Sequence, residues 1–207
     1  KINWSERSKK FGKYSVIDTQ TPKEEFEHVT RIQKNILIKN LKKYLTGREK
    51  KILDFGCGTG RFSKELSKIS KKHKVVAVDT EKNLIDIAIP SKNVRYLHIK
   101  DLKEIKGKFD LIFIANVLGG LDKNKIFFVA NFLSNSLNKN GILFLNENTD
   151  NNNNNKRVFQ YWESRNDKFY IDLFPKINLK KVDTYKYNHM LTSVFVGKRK
   201  VLQRMGL

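Results

Sequence analysis

The chain has 207 residues, and its 42 lysines and arginines against 21 aspartates and glutamates give a formal net charge of +21. This length suits one domain with a core of its own and an extension. A single cysteine, Cys57, excludes an internal disulfide and, alone, makes neither a metal site nor a redox pair. No apolar run approaches the roughly 20 residues of a membrane span, and no secretory signal pattern opens the sequence. We therefore expect a cytoplasmic protein.

The excess of positive charge has two explanations. It can attract a polyanion such as RNA, or an anionic membrane surface. It can also reflect amino-acid usage, because lysine far outnumbers arginine while asparagine and isoleucine are abundant. The lysines are scattered along nearly every predicted element and form no arginine-rich block, which favours the second explanation.

Residues 1–49 are predicted to form an N-terminal arm and a cap helix. Residues 1–20 show no clear periodicity and carry spaced apolar anchors, among them Trp4 and Tyr14. The segment Thr21-Pro22-Lys23-Glu24 has the composition of a helix start, and apolar residues then recur at helical spacing. The aromatic anchors are candidates to line a site, although such residues more often belong to a core.

The stretch from Lys51 to Leu66 combines a short apolar strand, the acid Asp54, a turn with three glycines and the start of a helix. Glycine allows positive φ angles and leaves no Cβ to obstruct a ligand. The pattern is D-x-G-x-G-x-G rather than the dinucleotide fingerprint G-x-G-x-x-G, whose third glycine would fall at Arg61. The stretch indicates a cofactor turn that is not a pyrophosphate site.

Polar residues follow the next three predicted strands. Asp79 ends the second strand, 23 positions after Gly56, where a carboxylate can accept hydrogen bonds from both hydroxyls of a ribose. Asp101 follows the third strand, and Asn116 follows the near-continuous apolar run Phe109–Ala115, which is typical of a central parallel strand. Ligands in open α/β sheets bind beyond the carboxyl ends of strands, so all three are candidate site residues.

The C-terminal half carries weaker signals. Glu147 follows the fifth predicted strand; it is a base, an orienting group or a ligand of polar substrate groups, with a solvated loop acid as the alternative. The strands Leu179–Tyr187 and Met190–Lys198 are joined by a short connector, which predicts a hairpin and an antiparallel last strand. His189 in this connector is the only histidine placed to act as a base, with a structural role as the alternative.

The glycine turn, supported by Asp79 and Asp101, resembles motif I of class I S-adenosylmethionine-dependent methyltransferases. The resemblance covers roughly residues 50–199, with 200–207 as a basic tail. It implies a three-layer, doubly wound α/β fold with a mostly parallel seven-stranded sheet in the order 3-2-1-4-5-7-6. The last strand would be antiparallel, and an N-terminal helical cap would cover the cofactor cleft.

The resemblance also implies the cofactor and its site. The methyl donor would be S-adenosylmethionine, with S-adenosylhomocysteine as product, and no metal is expected. The implied cofactor-binding residues are Asp54, Gly56, Cys57, Gly58, Gly60, Asp79, Thr80, Asp101, Leu102 and Asn116. The candidate catalytic residues are His189 and Glu147, and the candidate acceptor-binding residues are Trp4, Tyr14, Tyr161, Trp162 and Arg165.

We expect methyl transfer to an oxygen or nitrogen of a small molecule. The signature [DNS]-P-P-[YFW] of nucleic-acid amino-methyltransferases is missing, because Val-Leu-Gly follows Asn116. The alternatives are an RNA or protein methyltransferase that uses the basic surface, and a non-catalytic cofactor-binding scaffold subunit. The sequence leaves the oligomeric state open.

Overall fold

A computed structural model of the chain describes residues 3–18, 21–45, 50–69, 74–151, 157–159, 162–187 and 190–200. The candidate site residues Tyr161 and His189 lie outside the described residues.

Seven strands form one sheet in the order β3-β2-β1-β4-β5-β9-β8, and β6 and β7 form a separate two-stranded sheet. The strands are β1 Lys51–Phe55, β2 Lys74–Asp79, β3 Val94–His98, β4 Phe109–Ala115, β5 Leu137–Asn148, β6 Arg157–Phe159, β7 Trp162–Glu163, β8 Ile177–Tyr187 and β9 Met190–Arg199. Strands β1 to β5 pair in parallel, while β9 is antiparallel to both β5 and β8. The predicted sheet order and the antiparallel last strand are confirmed, with β8 and β9 as the predicted sixth and seventh strands.

Helices cover both faces of this sheet. They are α1 Trp4–Phe11, α2 Phe26–Lys42, α3 Ser63–Ile69, α4 Lys82–Asp86, α5 Lys123–Ser136 and α6 Asp167–Leu173. Apolar residues of α5 and α6 join the core on one face, and those of α2 and α3 join the core on the other. The sheet lies between the two cores, so the fold has the predicted three layers of helices, sheet and helices.

The N-terminal region departs from the sequence prediction in two places. The arm contains the helix α1, whose first turn is capped by the Asn3 side chain accepting from the Glu6 N–H at 3.2 Å. The helix α2 begins at Phe26 after a 3-10 turn over Lys23–Glu25, rather than at Pro22. Since Leu37 and Leu41 of α2 are buried in the core on one face of the sheet, the helix predicted as a cap packs on the sheet.

The helix α6 begins later than its sequence indicates. The sequence Ser164-Arg165-Asn166-Asp167 predicts a helix capped by Ser164, but Asn166 is the cap, accepting from the Phe169 N–H at 2.7 Å.

Within the described residues, no helix is both long enough and apolar enough to cross a bilayer.

Candidate active site

The glycine turn after β1 has the backbone conformation that its sequence predicts. Gly56, Gly58 and Gly60 have φ angles of 71°, 55° and 73°, a region that L-residues rarely occupy. A Cβ at Gly56 would lie 2.4 Å from a methyl group of Val117, and one at Gly58 would lie 2.8 Å from a methyl group of Val16. Gly56 therefore permits a close contact with the segment after β4, and Gly58 permits one with the N-terminal arm.

Gly60 serves packing behind the turn. A Cβ there would lie 2.4 Å from the Tyr96 hydroxyl, which donates to the Ile89 carbonyl at 2.8 Å. Gly60 does not line the cleft described below.

Asp79 connects the end of β2 to the glycine turn. Its Oδ2 accepts from the Gly58 N–H at 2.8 Å and its Oδ1 from the Glu81 N–H at 2.9 Å. Burial raises the pKa of Asp79, and these backbone hydrogen bonds oppose the rise. Since each carboxylate oxygen has more than one lone pair, the group keeps acceptor capacity for ligand hydroxyls.

Asp54 is a buried acid beneath the same turn. It is 2% exposed, and its Oδ2 accepts from the Ser63 hydroxyl at 2.5 Å. Burial raises the pKa of Asp54 to about 7, the Ser63 hydrogen bond opposes this rise, and the negative charge of Asp79 adds to it.

This raised pKa predicts a pH-dependent contribution to stability. Because the folded chain holds the Asp54 proton more tightly than the unfolded chain, the free energy of unfolding falls as pH rises from about 4 to about 7. Asp54→Asn removes this pH-dependent contribution. We therefore expect the variant to gain stability relative to wild type as pH rises from about 4 to about 7. Urea unfolding at several pH values measures it, with exposed Asp86→Asn as the control. A difference that is constant with pH would contradict the prediction.

A cleft of about 460 Å³ opens at the carboxyl ends of β1, β2 and β4. Every predicted cofactor residue except Gly60 lines it: Asp54, Gly56, Cys57, Gly58, Asp79, Thr80, Asp101, Leu102 and Asn116. Trp4, a candidate acceptor-binding residue, lines it as well, so the arm reaches the cleft. The cleft lies within the size range of small-molecule and cofactor sites.

Three of these lining residues have distinct local roles. Asp101 caps the 3-10 turn Leu102–Glu104, its Oδ1 accepting from the Lys103 N–H at 2.7 Å. Asn116 has a φ of 55°, and its buried Oδ1 has no hydrogen-bond partner among the described residues. Burial raises the pKa of the Cys57 thiol, which indicates a packed rather than a reactive cysteine.

Glu147, predicted as a base, lies outside the cleft lining. It is fully buried, and it accepts from the N–H groups of Val117 and Leu118 at 2.8 Å each and of Gly119 at 3.3 Å. Burial raises the pKa of Glu147 to about 7, and these three hydrogen bonds oppose the rise. This geometry fits a positioning residue that fixes the segment after Asn116.

The predicted acceptor-binding residues Tyr14, Trp162 and Arg165 do not line the cleft either. Tyr14 packs edge-on against Phe26 with ring centroids 5.1 Å apart, and Trp162 covers Gly119. Arg165 is 2% exposed and donates to the Leu118 and Leu121 carbonyls at 3.0 Å each and to Glu163 at 2.6 Å. Trp162 and Arg165 therefore support the segment that Glu147 also fixes.

Sequence reasoning did not assign Val16, Arg61 and Val117 to the site, yet all three line the cleft. Arg61 had a visible signal, because it occupies the position at which a dinucleotide fingerprint has its third glycine. Val16 and Val117 had none, since their contacts with the glycine turn depend on distant parts of the chain. Within the described ranges, no three histidine, cysteine or acidic side chains are grouped to hold a metal ion.

Comparison with known proteins places this geometry in a family. The family model for the methyltransferase domain matches residues 28–182. The chain is 36% identical over 107 residues to the uncharacterized protein RP028 of Rickettsia prowazekii, which covers 48% of this chain and 43% of that protein. It is 32% identical over 123 residues to malonyl-[acyl-carrier protein] O-methyltransferase of Legionella pneumophila, covering 55% and 40% respectively. The matched part is thus less than half the length of either curated relative.

A solved structure supports the fold. The magnesium protoporphyrin IX methyltransferase of Synechocystis PCC 6803, solved with bound S-adenosylhomocysteine, superposes with a TM-score of 0.70 over 94% of each chain at 13% identity. The sheet order, the glycine turn and the match over most of the sequence agree. The chain therefore belongs to the methyltransferase-domain family.

Proposed function

We propose that the chain transfers a methyl group from S-adenosylmethionine to an oxygen or nitrogen of a small-molecule acceptor. The observation that carries the proposal is the meeting of the predicted cofactor residues, Gly60 excepted, in one cleft at the carboxyl ends of parallel strands. The S-adenosylhomocysteine complex of the structural relative is consistent with this cofactor.

The residues present fit such a ligand. Gly56 and Gly58 line the cleft without side chains of their own, and their missing Cβ atoms let Val117 and Val16 pack against the turn. Asp79 would accept from the ribose hydroxyls, Asp101 and the Leu102 N–H would meet the adenine, and Asp54 would face the amino-acid end. When bound, S-adenosylmethionine supplies a methyl group already activated on a sulfonium. The protein then has to align the acceptor, which by itself can lower the barrier by several kcal/mol.

The arm favours a small acceptor. Val16 contacts Gly58 closely and Trp4 lines the same cleft, so the N-terminal region forms part of the cleft wall. A cleft of about 460 Å³ walled in this way suits a small molecule better than a folded RNA surface. A general base is needed only where the acceptor atom carries a proton at the working pH that has to be removed.

Two neighbouring strand ends favour a polar but uncharged acceptor group. The Asn116 N–H donates to the Asn146 carbonyl at 2.8 Å, which holds the ends of β4 and β5 together. The Asn146 Nδ2 and the Asn116 Oδ1 are both buried without a hydrogen-bond partner among the described residues. Since buried polar groups are normally paired and Asn116, unlike Asn146, lines the cleft, a hydroxyl or amide N–H on the acceptor would complete the Asn116 Oδ1.

Calorimetric titration of the purified chain with S-adenosylhomocysteine, and with NAD as control, tests the cofactor assignment. We expect micromolar binding of the first and none of the second. Small alcohols, phenols and amines can then be screened for methyl acceptance with S-adenosylmethionine. Failure of S-adenosylhomocysteine to bind would overturn the proposed function, and binding without turnover of any acceptor would favour a scaffold role.

One observation favours a second candidate acceptor. The Legionella relative is, by its name, a methyltransferase acting on a malonyl group carried by acyl-carrier protein. A net charge of +21 would speed encounter with an acidic carrier, and salt would reduce this effect. Turnover of malonyl-acyl-carrier protein, but not of malonyl-coenzyme A, with strong inhibition by salt would establish this candidate. Equal turnover of malonyl-acyl-carrier protein and malonyl-coenzyme A would instead favour a free small molecule as the acceptor.

A further inference from the structure

Arg61 is a buried cation at the edge of the cofactor cleft. It follows the last glycine of the turn directly, is 6% exposed and lines the cleft together with Asp54 and Gly58. Neither the sequence motifs nor the comparisons assign it a role. A buried charge is costly unless it is paired, so its environment calls for an explanation.

The contacts that hold Arg61 are all with neutral groups. Its Nη1 donates to the Thr30 hydroxyl at 3.1 Å and to the Gln33 Oε1 at 3.0 Å, and its Nη2 donates to the Val16 carbonyl at 3.5 Å. Its guanidinium also lies 4.9 Å from the centroid of the Phe62 ring. In the described part of the chain, no carboxylate lies within 4.0 Å of it, since none of the ion pairs there includes Arg61.

The side chain stays charged in this setting. Burial lowers the pKa of Arg61 to about 10, while Tyr185, Asp54 and Glu27 raise it from a distance. The three contacts fix the guanidinium against α2 and the arm but use only part of its donor set. A preorganised cation with spare donors in a cleft is suited to a carboxylate, which guanidinium can bind in a bidentate manner.

Asp54 supplies a complementary carboxyl group. It is buried in the same cleft, and it influences Arg61 electrostatically without an ion pair between them. A buried cation and a separate buried carboxyl match an α-amino acid, which carries an ammonium beside a carboxylate, because a bound ammonium would favour the charged form of Asp54. Lys100 and Lys125, the other cations that line the cleft, are exposed and therefore provide weaker, screened interactions.

We propose that Arg61 binds the carboxylate of the cofactor's amino-acid group, held in place for this role by Thr30, Gln33 and Val16. The inference rests on the proposed function, because it assumes a cofactor with an amino-acid end. It assigns to the cap helix and the arm a part in cofactor recognition: they position the cation that selects a ligand with a free carboxylate.

The test compares two ligands on the same protein. S-adenosylhomocysteine carries the amino-acid group, whereas 5′-methylthioadenosine has the same nucleoside and thioether without it. We expect Arg61→Gln to weaken S-adenosylhomocysteine binding by about tenfold or more, the loss typical of a charged hydrogen bond. Binding of 5′-methylthioadenosine should change less than about twofold. Arg95→Gln, at an exposed arginine of β3, should change neither.

Each other outcome has a defined meaning. An equal loss for both ligands would show that Arg61 only maintains the turn, and an unchanged affinity for S-adenosylhomocysteine would likewise overturn the proposal. Binding of neither ligand by the wild-type chain would instead overturn the proposed function. Should Arg61→Gln fail to fold, the wild-type chain is titrated with decarboxylated S-adenosylhomocysteine, which must bind about tenfold more weakly than the parent ligand if the proposal holds.

Discussion

Glu147→Leu is expected to lower the free energy of unfolding by about 3–5 kcal/mol. Leucine fills a similar space but leaves the N–H groups of Val117, Leu118 and Gly119 buried without their acceptor. Each buried N–H without a partner destabilises the folded state by the full free energy of removing it from water, and all three of these N–H groups lie in one short segment. Urea denaturation at neutral pH, followed by circular dichroism, measures the effect.

Glu147→Gln is the matched control, and it also separates two roles. Its amide oxygen can replace Oε1, which accepts from Val117 and Leu118, so we expect a smaller loss of about 1–2 kcal/mol. A positioning residue replaced in this way should leave methyl transfer largely intact, whereas a general base should not. Equal stability of the leucine and glutamine variants would contradict the hydrogen-bonding role of Glu147. Loss of turnover in a stable Glu147→Gln variant would instead support the predicted role of Glu147 as a base.

Asp79→Ala is expected to weaken S-adenosylhomocysteine binding by more than about tenfold. The variant would remove an acceptor for the two ribose hydroxyls, worth about 1.5–3 kcal/mol. It would also free the Gly58 N–H, which the carboxylate holds at 2.8 Å, and so loosen the glycine turn. Isothermal titration calorimetry gives the affinity directly.

A ligand that lacks both ribose hydroxyls separates these two effects. Against 2′,3′-dideoxy-S-adenosylhomocysteine, wild type and Asp79→Ala should bind with similar affinity if the loss comes from the ribose. Asp122→Asn, at an exposed carboxylate that also lines the cleft, should bind S-adenosylhomocysteine as wild type does. An unchanged affinity of Asp79→Ala for S-adenosylhomocysteine would contradict the ribose assignment.

The strands and the hairpin could be predicted because their signals are local, whereas the order of the strands in the sheet was implied by the family resemblance that the glycine turn carries. Apolar runs such as Phe109–Ala115, the glycine turn and the short link before Met190 each specify a strand, a turn or a hairpin from adjacent residues. The arm could not be predicted in the same way. Its helix α1 depends on an Asn3 cap and on packing, while its sequence shows no clear periodicity.

The meeting of three acids at the cleft was predictable for the same local reason. Asp54 and Asp79 lie at the carboxyl ends of β1 and β2, Asp101 follows β3, and parallel strands bring these ends to one edge of the sheet. The supporting positions of Glu147 and Arg165 were not predictable, because sequence alone cannot separate polar residues that support a site from those that face it. Their backbone hydrogen-bond partners lie 28 to 47 positions away along the chain.

The sequence by itself therefore determined the strands and the hairpin, since strand periodicity and turn residues act over a few positions. Its glycine spacing carried the resemblance from which the sheet order and the family followed. The tertiary structure alone decided which polar side chains face the cleft and which support it. It turned Glu147 and Arg165 toward backbone groups of one segment, and it placed Arg61 in the cleft against α2 and the arm. These outcomes follow from the burial of polar groups, which must find partners wherever the fold brings them.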